Sequence, residues 1–147
     1  MKKREGDSWL PADEFGQSLT GACINLLVAD IDSSLKFQRD VLAAHVEYCD
    51  ADFALMSAYG MRWMLHADHT YQDHPMHGIA TQLDGRGGAI ELRLYNTDPD
   101  SLEKAARERG YTILQGCQDK PHGLRECYLL DNDGFIWVPG RKLPLSE

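Results

Sequence analysis

Apolar and polar residues alternate along residues 89–95, which is the period-two pattern of a half-buried strand. One face of this strand carries Ile90, Leu92 and Leu94, and the other carries Glu91, Arg93 and Tyr95. An amphipathic helix is predicted directly after it, beginning at Asp98-Pro99 and ending at Gly110. Asp is a favourable N-cap, Pro suits the first helical position and Gly suits a left-handed stop. Residues 89–110 are therefore predicted to be a strand followed by a helix.

A similar strand and helix lie about 66 residues earlier, at 23–29 and 32–42. In this copy Ile24, Leu26 and Val28 are expected to face the helix, and Asn25 lies on the opposite face. Three short strands are predicted after each copy, near 45–50, 53–59 and 62–67 in the first and near 111–115, 124–130 and 135–138 in the second. Duplication of this kind is typical of a supersecondary unit that cannot bury its apolar face alone.

The predicted fold class is therefore α+β, with tandem βαβββ modules that form a concave mixed sheet. The modules are expected at 21–67 and 89–140. An N-terminal arm (1–20) precedes them, a polar linker (68–88) with a short strand at 78–83 joins them, and a tail (141–147) follows. The polar faces of the two sheets are expected to wall a trough, which is the default place for a ligand.

Composition narrows the classes of function. The formal net charge of −8 and the lack of clustered Lys and Arg on one periodic face disfavour a nucleic-acid partner. The longest apolar stretches are too short to cross a membrane, and the charged N-terminus is not followed by the apolar core of a secretory signal. The four cysteines form no Cys-x-x-Cys pair, so we expect reduced thiols and a cytoplasmic protein.

Two stretches carry a family resemblance. In residues 27–37, Asp30 ends the strand and Phe37 lies on the helix; the other stretch pairs 123–126 with the turn 131–134 that leads into Trp137. Over about residues 22–140 the chain resembles the vicinal oxygen chelate superfamily, which includes glyoxalase I, extradiol dioxygenases, fosfomycin-resistance enzymes and bleomycin-resistance proteins. The resemblance implies paired βαβββ units that hold a small organic molecule, often in a homodimer.

Metal-dependent members of that superfamily place ligands on the first and last strands of each half. The resemblance puts these positions on Cys23, Ala89 and Val138, with Met64 or Leu65 as the remaining candidate. A thiol and aliphatic or thioether side chains do not suit a divalent ion that prefers oxygen and imidazole donors. We therefore expect no metal at the inherited site and no cofactor, as in the bleomycin-resistance-like branch.

The candidate ligand-binding residues are Asn25, Trp63, Glu91, Arg93 and Tyr95. Charged residues on one strand face are most often simply exposed to solvent. If a reaction occurs, Glu91 is the best-placed general base, and Arg93 could anchor a carboxylate or lower the pKa of Glu91. Trp63 and Tyr95 offer flat surfaces to an aromatic ligand.

The segment 66–77 crowds His66, His69, His74 and His77 with two carboxylates. These side chains could hold zinc or nickel if the loop folded back, but their spacing matches no closed motif, and we expect a solvated loop. The leading hypothesis is a metal-independent small-molecule binding protein that sequesters an antibiotic or an aromatic metabolite. The alternatives are a glyoxalase-like lyase or isomerase, or a dioxygenase-type enzyme, using Glu91 or a non-standard metal site, and a protein that acts only through its dimer surface.

Overall fold

The computed structural model describes residues 1–145 and contains four α-helices, one 3₁₀ turn and eight strands. The helices are α1 (Ala12–Ser18), α2 (Ile31–Asp40), α3 (His77–Ala80) and α4 (Pro99–Glu108), and the 3₁₀ turn is Asp68–Tyr71. The first four strands are β1 (Ile24–Val28), β2 (His45–Cys49), β3 (Phe53–Ala58) and β4 (Met61–Ala67). The last four are β5 (Glu91–Leu94), β6 (Ile113–Asp119), β7 (Leu124–Leu130) and β8 (Ile136–Lys142).

The strands form two four-stranded mixed sheets with equivalent topology. Their orders are β1-β4-β3-β2 and β5-β8-β7-β6. In each sheet the first strand pairs in parallel with the last, and the remaining pairs are antiparallel. A parallel pair needs a long connection between its strands, and the helix and hairpin of each module supply it. The predicted α+β class with tandem βαβββ modules is confirmed.

The linker differs from its prediction. The prediction of a short strand at 78–83 is wrong, because residues 77–80 form the helix α3. The backbone N–H of Ala80 donates to the carbonyl of Met76 at 2.8 Å, and the Thr81 hydroxyl donates to the carbonyl of His77 at 2.7 Å. Local hydrogen bonds thus satisfy the backbone groups that a strand would have to pair with a neighbour.

The chain divides into two compact units. The first contains Met1–Asp32 and Ala44–Gln82, and the second contains Ser33–Ala43 and the chain from Leu83 on. Helix α2 is thus grouped with the second unit from Ser33 on, although the sequence placed it in the first module. There the Phe37 ring lies 4.9 Å from Tyr111 and 6.5 Å from Trp137 between ring centroids.

The first sheet has one strongly apolar face. Ala54, Met56, Trp63 and Leu65 on this face are all 0% exposed. The register explains why they act together, since Trp63 lies opposite Ile24 on one side and Met56 on the other. Full burial of a large apolar side chain contributes roughly 1.5–3 kcal/mol, so this face is the core of the first unit.

In the second unit, α4 begins and packs as its sequence predicts. Asp98 is the N-cap and accepts a hydrogen bond from the backbone N–H of Ser101, and Pro99 occupies the first turn. Leu102 and Ala106 are buried on the face of α4 that contacts β6 and β7. Gly110 follows the helix at φ +77°, the left-handed conformation that a C-terminal glycine supplies.

The turn 131–134 before β8 is tightly packed. The Asp131 carboxylate accepts hydrogen bonds from the backbone N–H groups of Asp133 and Phe135, both at 3.0 Å, and from Trp137 Nε1 at 2.9 Å. Gly134 has φ +82°, and a Cβ there would lie 2.4 Å from the Cα of Gly85. The turn expected at 131–134 is therefore present, and both its positive φ and its close contact with Gly85 require glycine at position 134.

None of the helices in residues 1–145 is long and apolar enough to span a bilayer.

Candidate functional site

The second face of the first sheet, opposite the apolar core, carries the candidate site. Strand alternation and the register place Asn25, Phe53, Met64 and His66 on this face. Phe53, Met64 and His66 are each partly exposed, whereas the core-face residues between them are fully buried. This face therefore has room for contacts beyond those made within the sheet.

The N-terminal arm packs against this face through aromatic rings. Trp9 stacks on Tyr48 with ring centroids 5.2 Å apart and an interplanar angle of 14°. Phe15 of α1 meets Phe53 edge-to-face at 5.7 Å. Offset-stacked and edge-to-face pairs are each worth about 0.5–1.5 kcal/mol beyond their buried area. The arm is therefore laid against the first sheet.

Asp52 fixes the start of the arm. Its carboxylate accepts hydrogen bonds from the backbone N–H of Lys3 at 2.7 Å and of Arg4 at 3.2 Å, and it pairs with His69 Nε2 at 2.7 Å. Asp52 is only 4% exposed, and this burial alone would raise its pKa. The hydrogen bonds from His69, Lys3 and Arg4 outweigh burial, so the pKa of Asp52 lies below its ordinary value.

A second carboxylate holds the arm from the neighbouring turn. Asp50 accepts from the Tyr48 hydroxyl at 2.6 Å and forms an ion pair with Arg4 at 3.4 Å. Burial acts to raise the pKa of Asp50, but the hydrogen bonds from Tyr48, from the backbone and from Arg4 lower it overall. Burial and the hydrogen bond to Asp50 raise the pKa of Tyr48. The arm is thus held by two ionised carboxylates at neutral pH.

Between the arm and the sheet lies a cavity of about 340 Å³. Most of its wall is aromatic or apolar, and a few polar side chains complete it. Its apolar and aromatic lining includes Trp9, Leu10, Phe15, Tyr48, Phe53 and Tyr71, and its polar lining includes Lys2, Arg4, Ser8, Asp52, His66 and Thr70. The volume lies at the lower end of the range of roughly 300–1,000 Å³ for small-molecule pockets. The whole cavity is formed within the first unit.

A chain of three polar side chains reaches the cavity through His66 and Tyr71, which both belong to its lining. Asn25 Nδ2 donates to the Tyr71 hydroxyl at 3.0 Å, and Asn25 Oδ1 lies 2.6 Å from His66 Nδ1. Burial lowers the pKa of His66, so its ring is neutral at pH 7. Because the Asn25 oxygen accepts from Nδ1–H, the neutral ring keeps Nε2 as a hydrogen-bond acceptor. The Tyr71 hydroxyl, which accepts from Asn25, can donate its own hydrogen.

The two candidate residues predicted in the first module, Asn25 and Trp63, lie on opposite faces of the first sheet. Asn25 forms hydrogen bonds with both His66 and Tyr71 but is not itself part of the cavity lining. Trp63 lies on the core face with 0% exposure and does not line the cavity. The difference arises because Trp63 shares its strand face with Leu65, whereas Met64 and His66 share the face of Asn25. The structure does not bring Trp63 and Asn25 together.

Sequence reasoning missed most of the cavity wall, including Trp9, Phe15, Tyr48, Phe53 and Tyr71. One available signal was the isolated apolar residues Trp9, Leu10 and Phe15 within an otherwise polar arm. Apolar side chains in such a segment indicate that it covers another surface. The identity of that surface depends on docking and cannot be taken from the arm alone.

The predicted residues of the second module meet on the open face of the second sheet. Arg93 donates to Glu91 at 2.7 Å and to the Tyr95 hydroxyl at 3.3 Å, and it forms an ion pair with Glu126 of β7. Glu91 is 44% exposed, whereas the Glu126 side chain is 1% exposed. Burial would raise the pKa of Glu126, but His122 and Arg93 lower it overall. Burial acts against the charge of Arg93, yet its acidic and phenolic partners raise its pKa.

The positions that correspond to metal ligands in the resembled superfamily do not fit a metal. In the first unit, Cys23 is exposed with its Sγ 3.7 Å from the Arg62 carbonyl, and the last strand offers only the thioether of Met64 or the aliphatic Leu65. In the second unit, Ala89 and Val138 carry aliphatic side chains. Neither unit supplies an oxygen or imidazole donor at these positions.

Three of the four histidines in the segment 66–77 have separate partners. His66 pairs with Asn25 and His69 with Asp52, while His74 Nδ1 accepts from the backbone N–H of Met76 at 3.1 Å. Within residues 1–145, the group of side chains whose possible metal-ligating atoms all lie within 4.8 Å of one another is elsewhere and consists of Glu103, Cys117 and Cys127.

Solved structures share the fold of this chain, whereas no family model and no curated protein matches its sequence. A glyoxalase-related enzyme from Fulvimarina pelagi has a TM-score of 0.67 at 18% identity, over 84% of this chain and 88% of that one. A glyoxalase/bleomycin resistance protein/dioxygenase from Nocardioides has a TM-score of 0.62 at 17% identity, over 91% and 93%. The fosfomycin resistance protein FosX from Listeria monocytogenes has a TM-score of 0.62 at 14% identity, over 84% and 93%.

The resemblance to the vicinal oxygen chelate superfamily is thus confirmed at the level of the fold. Identities below 20% carry the architecture and not the activity, because one fold hosts many unrelated functions. The chemistry of this chain has to be argued from its own residues.

Proposed function

We propose that this protein binds a small organic molecule with an aromatic ring in the cavity of the first unit, without a metal. The observation that carries the proposal is the cavity of about 340 Å³ between the N-terminal arm and the open face of the first sheet. Its aromatic walls and few polar groups are the usual composition of a small-molecule site. The absence of suitable donors at the inherited metal positions supports binding without a metal.

The size and walls of the cavity favour a flat ligand of one or two rings. Trp9 and Phe15 come from the arm, and Tyr48 and Phe53 come from the sheet. A ring placed between them would gain about 0.5–1.5 kcal/mol for each aromatic face that it contacts, in addition to the burial of its own apolar surface. Such a ligand would bridge the arm and the sheet, and its binding would hold the arm in place.

The two members of the polar chain that line the cavity, His66 and Tyr71, define the hydrogen bonds that the ligand would make. Neutral His66 offers an acceptor at Nε2, and Tyr71 offers a hydroxyl donor. A phenol or a nitrogen heterocycle with one donor and one acceptor matches both groups. The carboxylates of Asp50 and Asp52 are already paired with the arm, so they do not favour a strongly cationic ligand.

Sequestration of an antibiotic or an aromatic metabolite is the form of this function that we favour. Proteins with the same fold are described as bleomycin resistance and fosfomycin resistance proteins. A binding protein needs only affinity and a closed site, and an arm held by hydrogen bonds and aromatic contacts can provide both. The homodimeric state and the cytoplasmic location stay predictions.

The test is a titration with 2-naphthol as a neutral bicyclic probe and naphthalene as its counterpart without a hydroxyl. Binding should quench Trp9, which is 45% exposed, while the fully buried Trp63 and Trp137 respond less. Isothermal titration should show tighter binding of 2-naphthol than of naphthalene. Tyr71→Phe should weaken 2-naphthol binding about 2- to 13-fold, since one neutral hydrogen bond contributes roughly 0.5–1.5 kcal/mol. Tyr59→Phe, a tyrosine outside the cavity, is the matched control and should not change affinity.

A thermal-shift screen with bleomycin and a set of monocyclic and bicyclic aromatic antibiotics then asks for the natural class of ligand. Stabilisation that disappears in Phe15→Ala would support the cavity as the site. No response to any aromatic probe in the screen or the titration would refute the proposal.

A further inference from the structure

We propose that Glu103, Cys117 and Cys127 form a binding site for one soft divalent cation of the Zn²⁺ type, separate from the cavity of the first unit. The three side chains come from α4, β6 and β7, and one ligand atom of each lies within 4.8 Å of the others. All three belong to the second unit. Two thiols and a carboxylate are donors that Zn²⁺ and Cd²⁺ accept readily.

The spacing of the donors is close to that of an occupied site. Tetrahedral zinc with Zn–S bonds of about 2.3 Å holds its sulfur ligands roughly 3.8 Å apart. The present separations of up to 4.8 Å would have to shorten by no more than about 1 Å, which side-chain rotation can supply. Cys127 is fully buried and Glu103 is 15% exposed, so two of the donors are already held by packing.

The carboxylate is oriented by neighbouring groups. Glu103 Oε2 accepts from the backbone N–H of Cys117 at 2.5 Å, and Oε1 accepts from Arg107 Nε at 2.8 Å. A Cβ at position 116 would lie 3.1 Å from Glu103 Oε1, so glycine at this position leaves space for the carboxylate. Outer contacts of this kind are what fix metal ligands in their binding orientation.

The cluster also has an entrance. A surface cavity of about 450 Å³ is lined by Glu103, Gly116 and Cys117, with Asp100 and Arg125 at its edge. Asp100 is engaged by two hydrogen bonds from Arg125 at 2.6 and 2.8 Å. The fourth coordination position would therefore be filled by water from the cavity, which gives an open three-ligand site.

In the empty cluster, burial disfavours the thiolate form that a metal ion requires, so binding of an ion has to displace the thiol protons. Burial and the neighbouring carboxylate raise the pKa of Cys117, and burial raises the pKa of Cys127 to about 11. Both thiols are then protonated at pH 7. Each would lose its proton to solvent when its sulfur binds the cation, so binding should release about two protons per ion and weaken as the pH falls.

The experiment uses the reduced full-length protein and Co²⁺ as a spectroscopic substitute for Zn²⁺. We expect a thiolate-to-cobalt charge-transfer band that saturates at one Co²⁺ per chain and disappears when Zn²⁺ is added. Histidine ligands give no such band, so the linker histidines cannot produce it. Unbuffered titration with Zn²⁺ should release protons in step with binding.

The variants separate this cluster from the other cysteines. Cys117→Ser should abolish the band, and Glu103→Gln should keep the band while weakening the affinity about tenfold or more. The matched control is the double variant Cys23→Ser/Cys49→Ser, which removes the two exposed cysteines and should retain the full band. Circular dichroism establishes that each variant is folded.

Two results would overturn the proposal. One is the lack of a charge-transfer band in the reduced wild-type protein, and the other is a band of full intensity in folded Cys117→Ser. The titration with 2-naphthol is independent of both, so failure of the metal site leaves the proposed small-molecule site to be judged by its own test.

Discussion

The attachment of the N-terminal arm should depend on the charge of Asp52, and Asp52→Asn tests this directly. Two oxygens of the carboxylate receive three hydrogen bonds, from Lys3 N–H, Arg4 N–H and His69. An asparagine has the same shape but only one acceptor oxygen. The NH₂ group of the asparagine would replace one carboxylate oxygen and would face a backbone N–H of the arm. That N–H would lose its acceptor while the arm stays docked.

The magnitude follows from these contacts. Leaving one buried donor unsatisfied costs about 1–3 kcal/mol, and converting a remaining hydrogen bond from charged to neutral costs roughly 1 kcal/mol more. A total of about 3 kcal/mol corresponds to an increase of roughly a hundredfold in the population of the detached arm. The effect on global stability is smaller, because the arm can detach while the sheets stay folded.

Amide hydrogen exchange followed by NMR measures this population at the two affected groups. The N–H groups of Lys3 and Arg4 should exchange about a hundredfold faster in Asp52→Asn than in the wild type, by the same 3 kcal/mol. The N–H of Leu102 in α4 serves as an internal reference and should be unchanged. Asp73→Asn, an exposed carboxylate of the linker, is the matched control.

The reasoning would be refuted by unprotected arm amides in the wild type or by equal exchange rates in Asp52→Asn and Asp73→Asn. Acid should act like the substitution. The pKa of Asp52 is lowered in the folded protein, so its contribution is fully present above its ordinary value of 3.8 and is lost as the pH falls through the lower folded value.

Three further predictions concern the second unit and the turns. Burial raises the pKa of Asp131 from 3.8 to about 6, so its contribution to stability is full below pH 4 and falls by roughly 2–3 kcal/mol as the pH rises through 6. The free energy of unfolding, measured by denaturation at several pH values, should lose this pH dependence in Asp131→Asn. An unchanged pH dependence in that variant would contradict the prediction. Glu91→Gln should leave 2-naphthol affinity unchanged and stability within about 1 kcal/mol, because its ion pair is exposed; a tenfold loss of affinity or of any detected turnover would restore Glu91 to the site. Gly134→Ala should cost at least about 2 kcal/mol more than Gly60→Ala in urea unfolding, because both have positive φ but only the first places its Cβ against the backbone of Gly85; equal costs would refute this.

Local signals in the sequence allowed the first strand and the helix of the second module, β5 and α4, to be predicted correctly. Asp98, Pro99 and Gly110 act through the backbone of their own turns, so their effect does not depend on the rest of the fold. The alternation at 91–94 likewise appears in the structure as alternating burial. Features that depend on neighbouring residues within one element can be read from the sequence.

The candidate cavity could not be predicted in the same way. Trp9 and Tyr48 are far apart in sequence, and their stacking depends on the docking of the arm. Trp63 was predicted to contact a ligand only because its aromatic ring offers a flat surface. The alternation at 62–66 in fact separates Trp63 and Leu65 from Met64 and His66, but only the pairing with β1 shows which of these sets faces the core.

The same limit applies to the thiol and carboxylate cluster. Glu103, Cys117 and Cys127 form no recognised spacing motif along the chain. They meet because β6 and β7 are paired strands and α4 packs against both. Clusters assembled by strand pairing are visible only once the register is known.

The open faces of the two sheets have diverged although their topology is equivalent. The first presents aromatic rings and a neutral histidine, and a ligand can occupy it without breaking an ion pair. On the second, Arg93 is paired with Glu126, which is 1% exposed. A ligand that displaced Arg93 would leave the buried Glu126 carboxylate without its arginine, although His122 and Tyr128 would still contact it, at a cost of up to about 3–5 kcal/mol. Binding on the second sheet therefore has to overcome a penalty that the first does not impose, and this difference favours the first unit for the proposed small-molecule site.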